Sequence, residues 1–264
     1  VCGSPYLKKF GAGTQRVEME LRRILDEHAS ATGRLLPRVV RMDSDTTATR
    51  DAHEKLLAEF GQPGAAVLLG TQMIAKGLDF DDVVLVGVIN ADTQLRLPDF
   101  RSAERTFDLV EQVAGRAGRG RFEGRVLVQT YMHDAMAIRA AAHYERKRFL
   151  ADELPKRKML GYPPYARLAN ILVWGAEEEA VRAEAEALAK RVQEQIDDIV
   201  GDGWQSLGAA PCAIDRLRGQ HRWHILIKAP AGADISKLAE PVIRKRRANK
   251  KVNVAVDVDP YSLL

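Results

Sequence analysis

Four short apolar runs constrain the first half of this chain more than any other feature. They are "PRVVRM" (37–42), "AAVLLG" (65–70), "VVLVGVI" (83–89) and "RVLVQT" (125–130), all with β-branched residues among their apolar positions. Runs of that length and composition read as buried strands. Helical patterns separate them. Thr14 is placed to cap a helix that carries Val17, Leu21, Ile24 and Leu25 at helical spacing, with Glu18 and Glu20 near its start. A second helix fits 48–60. A third begins near Ser102 and carries Phe107, Val110, Val113 and Ala114 along one face. Strands alternating with helices imply a parallel α/β sheet, whose ligand-binding loops stand at the carboxyl ends of its strands.

The order changes after about Thr130. A helical stretch over 133–160 runs into "GYPPY", where two prolines break it. "RLANILVW" (167–174) then reads as a strand, and 177–200 as an amphipathic helix with Val181, Ala185, Leu188, Val192 and Ile199 inward. Strand-like stretches follow around 205–217 and 222–229, then a helix around 234–248 and the strand "VNVAVDVD" (252–259). That is β-α-β-β-α-β, the order of a split βαβ, ferredoxin-like domain.

Composition bounds the function classes. At 264 residues and 46% hydrophobic the chain is an ordinary globular one of one or two domains. No apolar run approaches the roughly 20 residues of a membrane span, and "VCGSPYLKKF" has no secretory core segment. The first residue is Val rather than Met, so a fragment of a longer protein is expected. Two distant cysteines, Cys2 and Cys212, point to a reducing compartment rather than a disulfide scaffold. Net charge is +4, but the stretch from Arg216 to Lys251 carries +9 and leaves the remainder at −5. An excess of that size is either a phosphate-binding surface or a solvated basic face.

Three stretches fall where a parallel sheet puts its working loops. "GTQMIAKGLDF" (70–80) follows a strand: Thr71 and the backbone at the strand end can bond a phosphate, Gly77 permits close backbone approach, and Asp79 can accept from a ribose hydroxyl. "NADTQLRLPDFRSAER" (90–105) follows the next strand and leads into the third helix, which "QVAGRAGR" (112–119) closes. Arg116 and Arg119, three apart, are expected to lie on one helical face. Guanidinium groups fork onto phosphate oxygens, so the pair suits arginine fingers reaching a triphosphate across a cleft. A plain helix end, with arginines favouring the dipole and glycine stopping the helix, fits the same residues. Further on, Arg216, Arg218 and Arg222 flank Gly219, with His221 and Trp223 beside them. Such a basic hairpin can grip phosphates and stack a base; Trp223 can equally be core.

These segments resemble motifs V and VI of superfamily 2 helicases. Taken together, "GTQMIAKG", "DFRSAER" and "QVAGRAGR" resemble the PriA family of primosomal replication-restart DNA helicases. "CGS" (2–4), "GAGTQRVE" (11–18), "RMDSDTT" (41–47), "GYPPYARLA" (161–169), "RLRGQHRWHILIK" (216–228) and "DVDP" (257–260) fit the same family, in order. The resemblance implies the end of a zinc-binding region at 1–13, a RecA-like second helicase lobe over 14–132, a helical connector over 133–164 and a C-terminal DNA-binding domain over 165–264. It implies a bacterial cytoplasmic, ATP- and Mg²⁺-dependent 3′-to-5′ helicase acting on stalled forks. Its partners would be forked and single-stranded DNA, primosome proteins and single-stranded DNA-binding protein. Arg116 and Arg119 would then contact nucleotide phosphates, Gln112 would couple that contact to DNA, Thr71 would touch the tracked strand, and Cys2 would be the last ligand of a structural zinc cluster. The chain departs from the family in lacking a GxxxxGK[ST] loop and a DExH-type motif, both of which belong to the first lobe. Alone it is therefore expected not to hydrolyse ATP. The rival readings are a non-catalytic fork-binding and primosome-docking module, and another superfamily 2 translocase.

Overall fold

The computed structural model describes residues 13–43, 45–47, 49–71, 74, 80, 82–118, 122–199, 202–244 and 251–263. The chain divides into two compact units. One holds the residues up to Arg96 together with Ala103–Glu145; the other holds Leu97–Ser102 and the chain from Arg146 onward.

The first unit contains α1 (Thr14–Thr32), β1 (Arg38–Met42), α2 (Arg50–Phe60), β2 (Ala66–Gly70), β3 (Leu85–Val88), α3 (Asp92–Leu95), β4 (Arg125–Val128) and α5 (Met136–Ala142), together with all but the first residue of α4 (Ser102–Ala114). All four expected strands form. They pair in parallel, β1 with β2 and β3 with β4, as two separate two-stranded sheets among the described residues. Side chains of β3 and β4 alternate between exposed and half-buried, and Leu85 and Leu127 face solvent. This corrects the reading of these two as fully buried strands. A β-branched run shows that a strand is fit for burial, not that both its faces are covered.

The start of α1 is also corrected. Gly13 stands at the N-cap, and Thr14 Oγ1 instead donates to Asp43 Oδ2 at 2.5 Å. No residue of α1 is fully buried and Ile24 is exposed, so its apolar stripe is only partly covered. Helix α2 is capped by Thr49, whose hydroxyl accepts from the Ala52 N–H. Helix α4 buries Phe107, Val110 and Val113 as their spacing predicts, with Ala114 half-buried.

The second unit contains α6 (Arg146–Leu160), β5 (Ala166–Gly175), α7 (Glu178–Asp197), β6 (Gln205–Leu217), β7 (Gln220–Pro230), α8 (Ser236–Arg244) and β8 (Val252–Val258). The single helical stretch read over 133–160 is thus two helices, α5 and α6, in different units. Tyr144, with φ of 55°, stands at the break.

The sheet order is β6-β7-β5-β8 and every pair is antiparallel. This is the ferredoxin-like arrangement: β7 lies between β5 and β6, the two strands that α7 connects. One face buries Ile171, Val173, Ile225 and Ile227 against Val181, Ala185, Leu188 and Val192 of α7 and Leu238 and Val242 of α8. Each Val, Leu or Ile among them contributes about 1.5–3 kcal/mol on full burial. Ile199 packs at the margin of this core. The expected continuation of α8 over 245–248 lies outside the described residues. On the other face a smaller cluster joins Leu168 and Leu226 to Leu263, Phe100 and Tyr162.

Candidate functional site

The carboxyl ends of β1 and β2 lie side by side, because Met42 pairs with Gly70. A Cβ on Gly70 would stand 2.2 Å from the Met42 carbonyl oxygen, so the close approach admits only glycine there. Thr71 follows, exposed at the strand end, and its carbonyl accepts from the Ile74 N–H at 3.1 Å. Gly77 and Asp79 lie outside the described residues.

Asp43 ends the neighbouring strand. Its buried carboxylate accepts from Thr14 Oγ1 and from the N–H groups of Asp45 and Thr46, at 3.1 and 3.0 Å. The Thr14 bond above all, then the Thr46 bond and the nearby Arg41 guanidinium, holds its pKa below the ordinary carboxylate value against the opposing effect of burial. Asp43 therefore braces the "MDSDTT" loop with an Asx-type turn. The loop carried a family resemblance but no assigned role.

The end of α4 is set by its glycines. Arg116 N–H reaches the Val113 carbonyl at 3.0 Å, and Gly118, at φ of 76°, donates to the Val83 carbonyl at 2.9 Å. A Cβ on Gly118 would lie 2.7 Å from the Gly124 nitrogen. Gly115 has no such restriction, since a Cβ there would meet only Glu111 and Gln112 carbonyls at 3.6 and 3.7 Å. Gln112 and Arg116 are both half-buried, one turn apart. The shared helical face expected for Arg116 and Arg119 is not continuous. The helix stops at Ala114 and Gly118 turns the chain through the left-handed region before Arg119, which itself lies outside the described residues.

The basic hairpin is a two-residue turn. Leu217 pairs with Gln220, and the turn residues Arg218 and Gly219 have φ of 51° and 80°. Positive φ at both positions matches the strand twist as in a type I′ turn. The register shifts between Pro211 and Arg216, and pairing resumes at the tip, where Arg216 stands opposite His221. Arg216 and Arg218 are exposed, while Arg222 is half-buried and directs one guanidinium nitrogen to the Ile214 carbonyl at 3.3 Å.

Trp223 does not share the arginines' surroundings: it pairs with Val173 and packs against the helix-covered core. Strand alternation puts its neighbours on the opposite face, where Trp174 stands in register with Arg222 and Leu172 with His224. His224 is held below its ordinary pKa of 6.5, first by burial and then by the Arg222 charge. The face that Trp174 and His224 occupy is set by strand pairing.

A further feature of the second unit comes from far up the chain. The "LPDFRS" segment (97–102) docks against the C-terminal tail at 260–263. Asp99 accepts from Leu263 N–H at 3.1 Å and Ser262 Oγ at 3.3 Å. Arg101 donates to the carbonyls of Pro260 and Tyr261 at 2.7 and 2.9 Å. The Phe100 ring stacks on Tyr162 at 4.9 Å, with the Arg101 and Arg157 guanidinium groups 4.6 and 5.4 Å from its centroid. "DFR" carried a resemblance, but a separation of about 160 residues hides such pairing from any local pattern.

Among the described residues no cluster of three or more His, Cys, Asp or Glu side chains fits a metal ion, and no helix is long and apolar enough to cross a membrane. Cys2 lies outside the described residues.

Comparison with known proteins agrees with this two-part layout. The helicase conserved C-terminal domain matches residues 14–121, and the primosomal protein N C-terminal domain matches 158–261. The replication restart protein PriA of Bacillus subtilis (strain 168) is 40% identical over 266 residues, covering 100% of this chain and 31% of that protein. PriA of Synechocystis is 40% identical over 263 residues, 99% of this chain and 30% of its own length. That of Treponema pallidum is 35% identical over 264 residues, 100% of this chain and 38% of its own length. With both domains matched in order, the chain is similar to PriA replication restart proteins and spans about a third of the length of these relatives.

Proposed function

We propose that this chain supplies the second lobe and the DNA-binding domain of an ATP-dependent 3′-to-5′ DNA helicase that recognises stalled forks and restarts replication. The observation that carries this is the end of α4. There a half-buried arginine, Arg116, stands one turn beyond Gln112 on a backbone locked by Gly118. A guanidinium so placed can meet charge that develops on a transferring γ-phosphoryl group, and Arg119 would add a second. Gln112 would link that contact to DNA. Thr71, exposed at its strand end, would bond the tracked strand, and Gly77 and Asp79 would approach the nucleotide. The exposed Arg216 and Arg218, with Arg222, would hold backbone phosphates of the fork. Primosome proteins and single-stranded DNA-binding protein are the proposed protein partners. The sequence contains no phosphate-cradling GxxxxGK[ST] loop, so this chain alone should show no ATP turnover.

The test separates the two arginine groups in the full-length protein. Arg116→Ala should lower DNA-stimulated ATP hydrolysis by roughly 10³-fold or more, the scale of an arginine finger, and leave fork binding intact. Combined Arg216→Ala, Arg218→Ala and Arg222→Ala should weaken fork binding and lower the salt slope by up to about one per lost phosphate contact. ATPase kinetics beside fork titrations at several salt concentrations measure both. Normal hydrolysis by the first variant would return "QVAGRAGRG" to a plain helix end. Normal binding by the second would make the hairpin a solvated face.

A further inference from the structure

The C-terminal sheet carries an aromatic surface on the face away from α7 and α8. Its two central strands, β5 and β7, place Trp174 opposite Arg222 and Leu172 opposite His224 there. At one end of this face Leu168 and Leu226 are buried with Leu263, and Phe100 and Tyr162 pack against them. Nearer the hairpin the face opens. Trp174, Leu172, Arg222 and His224 are only half-buried. On the flanking edge strand β8, Asn253 and Ala255 pair with Trp174 and Leu172, and both are exposed. Trp174 is in neither of the two apolar clusters described for this unit, whereas Trp204 and Trp223 pack against the helix-covered core. Trp174 and His224 are diagonal neighbours across the strand pair, about 7–8 Å apart and within mutual reach of flat side chains. The face also has unused polar capacity: Asn170 Oδ1 and His224 Nδ1 are buried without a hydrogen-bond partner among the described residues. Such an atom carries a desolvation cost that the polar edge of a ligand removes.

Charge selects the occupant. Arg222 lies on the open face itself, and Arg216 and Arg218 stand exposed at the adjoining tip, against Asp215 as the only acid of the β6–β7 hairpin. Asp257, paired with Asn170, stands farther from the tip. A single nucleic-acid strand meets both features, with phosphates at the arginines and bases at the rings. A duplex does not, because its base faces are already stacked. We propose that this open face is a base-stacking platform for single-stranded DNA: Trp174 and His224 take neighbouring bases while Arg222 and the hairpin tip hold the backbone. Aromatic platforms of this kind are sequence-tolerant, since every base has a π face. The four-stranded sheets of RNA-recognition domains stack two or three bases on aromatics in the same manner. This proposal rests on the reading of the C-terminal unit as DNA-binding, and adds to the hairpin's phosphate contacts a surface that tells single strand from duplex.

The experiment uses the full-length protein without nucleotide, titrated with single-stranded oligothymidylate and with a blunt duplex at several salt concentrations. Trp174→Ala should weaken single-strand binding by roughly 5- to 150-fold, the scale of one lost base stack. Its salt slope should not change, because no phosphate contact is lost, and its duplex affinity should stay at the wild-type level. Trp174→Phe should restore most of the affinity. Trp174→Leu, which keeps apolar bulk without a π face, should not. Combined Arg216→Ala and Arg218→Ala should instead lower the salt slope. A single strand carrying iodouracil should photo-crosslink to the peptide that holds Trp174 and not to the one that holds Trp223. If Trp174→Ala does not fold, Trp174→Leu and the crosslink carry the comparison. Wild-type single-strand affinity in the Trp174 variants, with a lowered slope in the arginine variant, would overturn the platform and leave the hairpin's role standing. Rescue by Leu as full as by Phe would make Trp174 a packing residue and overturn it too, as would crosslinks confined to other peptides. Unchanged binding in the Trp174 and arginine variants alike would overturn DNA binding by this unit, and the platform with it.

Discussion

Two segments of this chain present arginine beside glycine, and they differ in what the glycine does. At the end of α4, Gly118 takes a φ of 76° and a side chain there would strike the Gly124 backbone. At the tip of the β6–β7 hairpin, Gly219 takes a nearly equal φ of 80° with nothing within 4 Å of its would-be Cβ. The first glycine permits a close backbone approach and holds Arg116 half-buried. The second permits only a tight turn, which leaves Arg216 and Arg218 in solvent. A fixed, partly desolvated guanidinium suits a charge that develops at one point during a reaction. Solvent-exposed ones suit a polyanion, where net charge matters more than register. Similar composition thus serves two tasks because the surrounding backbone differs.

The largest effect that would sharpen this contrast concerns Trp223, which sequence spacing places with the hairpin arginines and packing places with the core. Trp223→Ala should destabilise the C-terminal unit by up to about 3 kcal/mol, as a large core truncation does. At a temperature where the variant is folded, its fork affinity should be unchanged. Chemical denaturation beside a fork titration measures both. Loss of affinity with unchanged stability would move Trp223 back to the binding surface.

The glycines come next. Gly219→Ala should cost roughly 1 kcal/mol, the strain of a left-handed Cβ alone. Gly118→Ala should cost more, roughly 2–3 kcal/mol, because the backbone of Gly124 must also shift. Equal costs in thermal melts would show that the two turns are constrained alike and that the comparison fails.

The smallest effect is a difference in acid response. In the C-terminal unit His224 has a lowered pKa, so the unfolded state binds the proton first. The stability that depends on neutral His224 is complete above its ordinary value of 6.5 and is lost as pH falls through its lowered folded value. In the first unit Asp43, Asp92 and the exposed Glu20 are held below their usual 3.8, 3.8 and 4.5, and their contribution holds until pH drops below those values. Between pH 7 and pH 5, melting of the C-terminal unit should therefore weaken while that of the first unit holds. His224→Gln should remove the difference. Parallel weakening of both units across that range would contradict it.

Much of the fold was legible in sequence because it depends on local periodicity. The buried stripe of α7, from Val181 to Val192, and the β-branched runs of β1 and β5 carry their spacing in the residues themselves. Candidate residues at strand ends and turns were legible for the same reason: Thr71 must follow β2, and Arg218-Gly219 must turn a hairpin. The end of α4 was only half legible. Glycine announces that a helix stops, but not that Gly118 redirects the chain before Arg119.

The sequence by itself determined the order and kind of elements, the basic C-terminal stretch and the family motifs, since each is a property of neighbouring residues. Only the tertiary structure decided which face of β7 Trp223 occupies, whether β3 and β4 are covered on both sides, and what Thr14 binds. It alone joined Asp99, Phe100 and Arg101 to Tyr162 and the tail at 260–263. The physical reason is common to all of these. A local pattern encodes whether a side chain suits burial or a turn, whereas its partner is chosen when distant segments pack. That choice depends on strand register and chain path, which no window of neighbouring residues contains.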